Sequence, residues 1–139
     1  GITHSEANHS DTERVHVVQM WVAPDERGIE PDYEQVDVND RLDAGGLVPV
    51  ASGRGHDGTI AIRQGDAVMW VGRLTDGETV EVPVAPFVHL YVARGSVVLD
   101  GTRLGEGDAA RLTDAGGLGL RSTGDSEVII WETHREAIR

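Results

Sequence analysis

From Leu47 onward the chain is divided into short segments rich in β-branched and aliphatic residues, each bounded by Gly, Asp, Asn or Pro. Short strands at such close spacing are typical of antiparallel β structure. The segments are 48–51, 59–62, 67–71, 78–84, 88–93, 96–99, 109–112, 118–121 and 128–132. Because no long helical stripe separates them, the pattern favours a jelly roll or a small antiparallel barrel over a parallel sheet. The sequence therefore predicts an all-β fold.

Turn chemistry and alternation support this prediction. Residues 79–84 alternate between polar and apolar side chains, as a half-buried antiparallel strand requires. The dipeptide Asp100-Gly101 follows the segment 96–99 directly. Since Asp-Gly supplies the positive φ angles of a two-residue hairpin turn, we expect the chain to reverse there.

The N-terminal third has a different character. Residues 15–22 are dense in Val and also contain Trp21, so we expect a buried strand that ends at Pro24. Residues 23–46 lack sustained periodicity and are broken by Pro and Gly. They are expected to connect two packed units.

Composition excludes several functional classes. The 139 residues contain no cysteine, which excludes disulfides, thiolate metal sites and cysteine nucleophiles. A formal charge of −12 disfavours nucleic acid and anionic membrane surfaces as partners. Because neither an apolar run of membrane-spanning length nor a signal sequence is found, a cytoplasmic protein is expected.

His4 and Glu6 are the first candidate functional pair. In an extended strand, residues two apart project from the same side roughly 7 Å apart, close enough to bind one metal ion. A mixed imidazole and carboxylate site for Fe, Ni, Cu or Mn needs further histidines, typically a His-x-His pair, and the sequence has none. Considered without any resemblance, the two residues are interpreted first as solvated side chains at a loose terminus, with metal ligands as the alternative.

The remaining histidines are interpreted as structural or exposed. His16 shares strand parity with Val18, so a core or interface histidine is expected there, with a metal ligand as the alternative. His9 is assigned to a polar turn and His56 to a loop tip. His89 is assigned to a strand and His134 to the chain end. Nothing in the sequence predicts that the last three converge.

Three segments together resemble a known family. They are residues 1–6 with the motif His4-Ser5-Glu6, residues 18–21 (Val-Gln-Met-Trp), and residues 24–35 with Asp-Glu-Arg-Gly and Tyr-Glu-Gln. This combination resembles the middle of pirin-like proteins, which are bicupins, two β-sandwich barrels in tandem. Residues 90–107 are similar to the second cupin, so the resemblance covers the chain but only the later half of the family's length.

The resemblance implies a domain division and a metal site. Residues 1–38 would be the closing strands of a first, metal-binding cupin plus a connector, and residues 39–139 a second cupin. His4 and Glu6 would be two of four ligands to a divalent transition metal, iron in the first place, with Ni, Cu or Mn as alternatives. The other two ligands would form a His-x-His pair before Gly1, so the metal is expected to be absent from this chain alone.

Some members of the family resemble quercetin 2,3-dioxygenases. The resemblance therefore implies a flavonol-like substrate, with Glu6 also acting as the catalytic proton acceptor. This chain alone would be inactive. Because an incomplete first cupin would leave residues 15–22 with unpaired edges, we expect this segment to pack on the second cupin, to pair with a second copy of the chain, or to await an N-terminal fragment. The alternative is a non-catalytic cupin binding module that acts in protein interaction or as a transcriptional co-regulator.

Overall fold

The computed structural model of the protein describes residues 3–135, and its elements confirm the predicted all-β fold. One short helix, α1 (Asn39–Asp43), precedes the strands. The strands are β1 (Leu47–Ser52), β2 (Ile60–Ala61), β3 (Ala67–Leu74), β4 (Thr79–Glu81), β5 (Ala85–Arg94), β6 (Ser96–Leu99), β7 (Thr102–Gly105), β8 (Ala109–Ala115), β9 (Gly119–Ser122) and β10 (Ser126–Thr133). Gly1 and Ile2, the start of the N-terminal motif, lie outside the described residues.

The strands form two sheets. The larger has the order β2-β1-β3-β10-β5-β8, and the smaller the order β4-β9-β6-β7. β1 and β2 pair in parallel, whereas the other paired strands run antiparallel. β10 pairs with β3 on one side and with β5 on the other and so lies in the centre of the large sheet.

The main core lies between the two sheets. Along β10 the even-numbered residues Val128 and Ile130 are fully buried, as is Leu90 on β5. The small sheet contributes Val97 and Leu120 from its inner face. Since side chains alternate along a strand, this parity also sets which residues of the large sheet face away from the core.

A second, smaller cluster covers part of the outer face of the large sheet. Leu42 of α1 packs there with Val48 and Val50 of β1. Met69 and Val71, the outward residues of β3, lie against this cluster. The short helix thus closes one half of the outer face, and the other half, on β10 and β5, remains for the N-terminal segment.

The predicted hairpin turn is present, and it reveals a strand that the sequence analysis missed. Asp100 and Gly101 have φ angles of 44° and 80°, the positive values that a tight turn between twisted strands needs. The turn brings Leu99 opposite Thr102 and so pairs β6 with β7. β7 has few apolar residues, which is why its sequence carried no strand signal.

The prediction of a buried strand over residues 15–22 is wrong in this structure. Residues 3–38 contain no strand, and Val15, Val17 and Trp21 are 57%, 53% and 92% exposed. The composition favours a strand, but no strand of the described residues pairs with this segment. In the described part of the chain, no helix is long and apolar enough to cross a membrane.

Candidate functional site

His4 and Glu6 lie side by side in the extended N-terminal segment. The His4 Nε2 atom is 3.6 Å from the Glu6 Oε1 atom, and the two side chains are 59% and 52% exposed. Bonds of about 2 Å from a metal to imidazole nitrogen and carboxylate oxygen bring such donor atoms within about 4 Å of one another. The spacing therefore fits two ligands of a single ion.

Two donors are all that the described residues bring to this place. Between residues 3 and 135 no group of three or more His, Asp or Glu side chains is arranged to hold a metal ion. His9 and His16 are both exposed. The expectation that His16 is a core residue is therefore wrong in this structure, because the segment around it is unpaired among the described residues, whereas an interface role for His16 stays a prediction.

The segment from residue 18 to residue 34, here called the strap, runs along the large sheet. The Trp131 indole Nε1 donates to the sulfur of Met20 at 3.2 Å. Further along, the backbone N–H of Asp25 donates to the Arg63 carbonyl at 2.8 Å. The strap thus contacts the sandwich at separate points without pairing with it as a strand.

A cleft of about 870 Å³ lies between the strap and the outer face of β5 and β10. Its apolar and aromatic lining includes Val18, Met20, Trp21, Tyr91, Ile129 and Trp131. His89 faces the same cleft from β5, so this histidine points away from the core. No sequence pattern indicated the cleft, because it depends on which face of each strand the strap covers.

A buried carboxylate organises a separate polar cluster inside the sandwich. Glu132 continues the inward parity of β10 and is 8% exposed, and its Oε2 accepts a hydrogen bond from the Trp70 indole at 3.1 Å. The His56 and Trp70 rings form a T-shaped pair with centroids 5.5 Å apart. His56 Nδ1 in turn lies 2.8 Å from the Ser52 hydroxyl.

Two basic side chains flank the free oxygen of this carboxylate. The Glu132 Oε1 atom is 3.5 Å from His134 Nε2 and 4.0 Å from Arg54 Nη1. His56 and His134 therefore converge on one network, which the sequence analysis did not predict, whereas His89 lies on the opposite face of the sheet. The inward parity of Glu132 relative to Ile130 was the one clue in the sequence.

The perturbed ionisable groups lie near α1, away from these clusters. Hydrogen bonds from the backbone N–H groups of Thr75 and Gly46 lower the pKa of Glu78. A hydrogen bond to Asp43, followed in size by one to Glu127, raises the pKa of Arg73. These contacts join the start of the sandwich to the β3–β4 turn.

Two facing sheets of mostly antiparallel strands around an apolar interior define a cupin-type β-sandwich. A sequence profile of the quercetinase C-terminal cupin domain matches residues 49–133. The chain belongs to this family, and the resemblance to pirin-like proteins is confirmed. The matched region covers every strand of the sandwich apart from the first residues of β1.

Individual relatives agree with the family assignment. A Mycobacterium tuberculosis protein provisionally named a quercetin 2,3-dioxygenase is 48% identical over 136 residues, which cover 96% of this chain and 56% of that protein. The quercetin 2,3-dioxygenase of Escherichia coli K12 is 33% identical over 134 residues, covering 95% and 56%. The chain thus spans a little over half the length of these curated relatives.

A solved structure shows the same architecture. The bacterial pirin YhhW from Escherichia coli, in complex with nickel(II), superposes with a TM-score of 0.69 at 25% sequence identity. The superposition covers 81% of this chain and 48% of that chain. The predicted cupin fold is thereby confirmed.

Proposed function

We propose that this chain is part of a pirin-like, metal-dependent oxidoreductase of the quercetin 2,3-dioxygenase type. The observation that carries the proposal is the approach of His4 Nε2 to Glu6 Oε1 at 3.6 Å, in a chain of a quercetinase family. The names of its relatives and the nickel(II) in the YhhW complex support a divalent transition metal. Iron remains our first candidate, with nickel, copper and manganese as alternatives.

The proposal divides the chain at the start of α1. Residues 1–38 would be the closing strands and connector of a first, metal-binding cupin, and residues 39–139 a second cupin. In support, the buried clusters of the sandwich draw on residues from Val38 onward. The apolar side chains of 15–22 would be covered by the remainder of a chain as long as its relatives, which would also supply a His-x-His pair.

Two side chains would carry the chemistry in this chain. The metal, when bound, would supply Lewis acidity and a binding position for a flavonol oxygen, so that O₂ can open the heterocyclic ring. The His4 imidazole would hold the metal through Nε2. The Glu6 carboxylate would border the metal and act as the base that accepts the proton of the flavonol hydroxyl.

The isolated chain would have little activity of its own. With one imidazole and one carboxylate, residues 1–139 would bind the metal weakly and consume little or no flavonol. A chain extended at its N-terminus to the length of its relatives would retain the metal and consume quercetin. The comparison of these two proteins by metal analysis and by loss of flavonol absorbance is the first test.

Substitutions in the extended chain sharpen this test. We expect His4→Ala and Glu6→Gln each to lower metal retention and flavonol turnover by at least about tenfold, since loss of a ligand costs more than loss of an outer contact. His9→Ala is the matched control, because His9 is an exposed histidine in the same segment. An extended wild-type chain that holds no transition metal and consumes no flavonol would refute the enzyme proposal.

The second candidate function is a non-catalytic protein-interaction module, including a transcriptional co-regulator. The exposed apolar residues of the N-terminal segment favour it, with Trp21 at 92% and Tyr33 at 79% exposure. The two candidate functions predict different properties of the extended chain. An interaction module holds no metal and keeps these side chains exposed, so a quencher in the solvent reduces the fluorescence of Trp21. An enzyme of the proposed kind buries Trp21 and holds a metal.

A further inference from the structure

Asp25 joins the strap to the sandwich at two points at once. Its backbone N–H donates to the Arg63 carbonyl at 2.8 Å, and its Oδ2 accepts from the backbone N–H of Gly65 at 2.7 Å. A charged acceptor and a backbone donor on one residue fix both the position and the direction of the chain. The rest of the strap has few such contacts.

The surface that receives Asp25 is itself held firmly. The β2–β3 loop, residues 62–66, is tied to β1 through a hydrogen bond from the Ile62 N–H to the Ser52 carbonyl at 3.2 Å. Its other end turns through a bond from the Ala67 N–H to the Gln64 carbonyl at 3.2 Å. The loop therefore forms a fixed anchoring point.

Gly65 is shaped for this contact. A Cβ atom at this position would lie 3.1 Å from Asp25 Oδ2, closer than an ordinary van der Waals contact. The absence of a side chain thus allows the carboxylate to reach the backbone N–H directly. A side chain at residue 65 would require the Asp25 carboxylate to shift by a few tenths of an ångström.

Two flanking contacts follow the strap on either side of Asp25. Upstream, Met20 accepts the Trp131 indole hydrogen bond at 3.2 Å. Downstream, Glu34 Oε2 accepts from the Ala61 N–H of β2 at 2.9 Å. Asp25 lies between them, at the place where the strap passes from the face of the large sheet to its edge.

We propose that Asp25 is a positioning residue that docks the strap on the second cupin and so fixes how the segment bearing His4 and Glu6 leaves it. The importance of that segment rests on the proposed function, whereas the docking does not. The second cupin then serves the metal-bearing half as a rigid support.

The test compares Asp25→Ala, Asp25→Asn and a control, Glu30→Ala, in the 139-residue chain. Asparagine keeps a side-chain oxygen acceptor, and Glu30 is an exposed acid of the same strap. Three reporters are followed by NMR: the Gly65 amide, the amide of residue 25 and the Trp131 indole N–H. The amide of residue 25 is the decisive reporter. Its N–H donates to the Arg63 carbonyl, and this hydrogen bond does not involve the side chain that is substituted.

We expect Asp25→Ala to speed exchange of both amides about fivefold after correction for intrinsic rates, as loss of one hydrogen bond implies. The Trp131 indole resonance should move with them. Asp25→Asn should restore most of the protection, and Glu30→Ala should change none of the reporters. If only the Gly65 amide responds, or if no reporter responds, the positioning role is refuted.

The extended chain separates this inference from the proposed function. There, Asp25→Ala should lower the retained metal several-fold while Asp25→Asn preserves it. Unchanged metal retention in Asp25→Ala would refute the positioning role even if the amides respond. An extended wild-type chain without metal or turnover would refute the proposed function instead, and the amide exchange would then decide the docking alone.

Discussion

Residues 3–38 and residues 47–135 both contain many apolar side chains but bury them to very different extents. Trp21 in the first region is 92% exposed, whereas Leu90 in the second is fully buried. Both lie in segments whose composition favours a strand. The difference is that β5, which carries Leu90, pairs with β10 and β8, while no strand within residues 3–135 pairs with the segment around Trp21.

A composition that favours a strand is therefore not sufficient for strand formation. An extended segment must satisfy its backbone N–H and C=O groups, and only a neighbouring strand does so along its whole length. In residues 3–38 this partner is lacking among the described residues. The strap makes a few point contacts with the sandwich instead.

The largest expected effect comes from one substitution made in both regions. Val128→Ala in the core should lower the free energy of unfolding by about 2 to 3 kcal/mol, because it removes two buried methyl groups and leaves a cavity. Val17→Ala, at a residue 53% exposed, should change it by less than about 0.5 kcal/mol. Urea denaturation measures both, and equal costs would show that the N-terminal segment is buried in solution.

The second prediction concerns deletion of the N-terminal region, which contacts the sandwich at only a few points. Deletion of residues 1–35 should cost only about 1 to 2 kcal/mol of stability, the worth of a few exposed hydrogen bonds. The cut spares Val38, which packs on the second cluster, and Asp37, which caps the turn into α1. Thermal and urea unfolding of the two chains provide the comparison. A loss above about 4 kcal/mol would mean that the strap belongs to the folded core.

The smallest effect concerns pH at the boundary between the regions. The pKa of Glu78 is lowered in the folded state, so the ionised carboxylate stabilises the fold. This contribution to stability is present at pH values above the unfolded pKa. It is lost as pH falls below about 4.5 and through the lower folded value. Glu78→Gln should therefore reduce the urea midpoint at pH 7 by at most about 0.5 M. The difference from wild type should disappear near pH 3, and a constant difference at both pH values would contradict the assignment.

The sequence was sufficient to predict most strands of the sandwich. Alternation and turn residues located β1, β3, β6 and β10 within a few positions, because each of these segments carries its own local pattern. β7 was missed, since its strand character comes from pairing with β6 through the Asp100 turn. The predicted strand over 78–84 is shorter in the structure, where β4 ends at Glu81.

The candidate site was less predictable than the fold. The side-by-side placement of His4 and Glu6 follows from their spacing, but their role as ligands stays a prediction. The convergence of His56 and His134 around Glu132 depends on strands that are far apart in sequence and adjacent only in the sheet. Such long-range arrangements leave no local pattern for a sequence analysis to detect.

The contact between Glu34 and Ala61 has a consequence for the behaviour of the protein in concentrated solution. β2 is one of the two edge strands of the large sheet, and an unpaired edge can recruit strands from other molecules. β2 is only two residues long, and the Glu34 carboxylate occupies its outward-facing N–H while adding a negative charge beside it. The strap thereby protects this border of the sheet against aggregation, a benefit independent of any catalytic role.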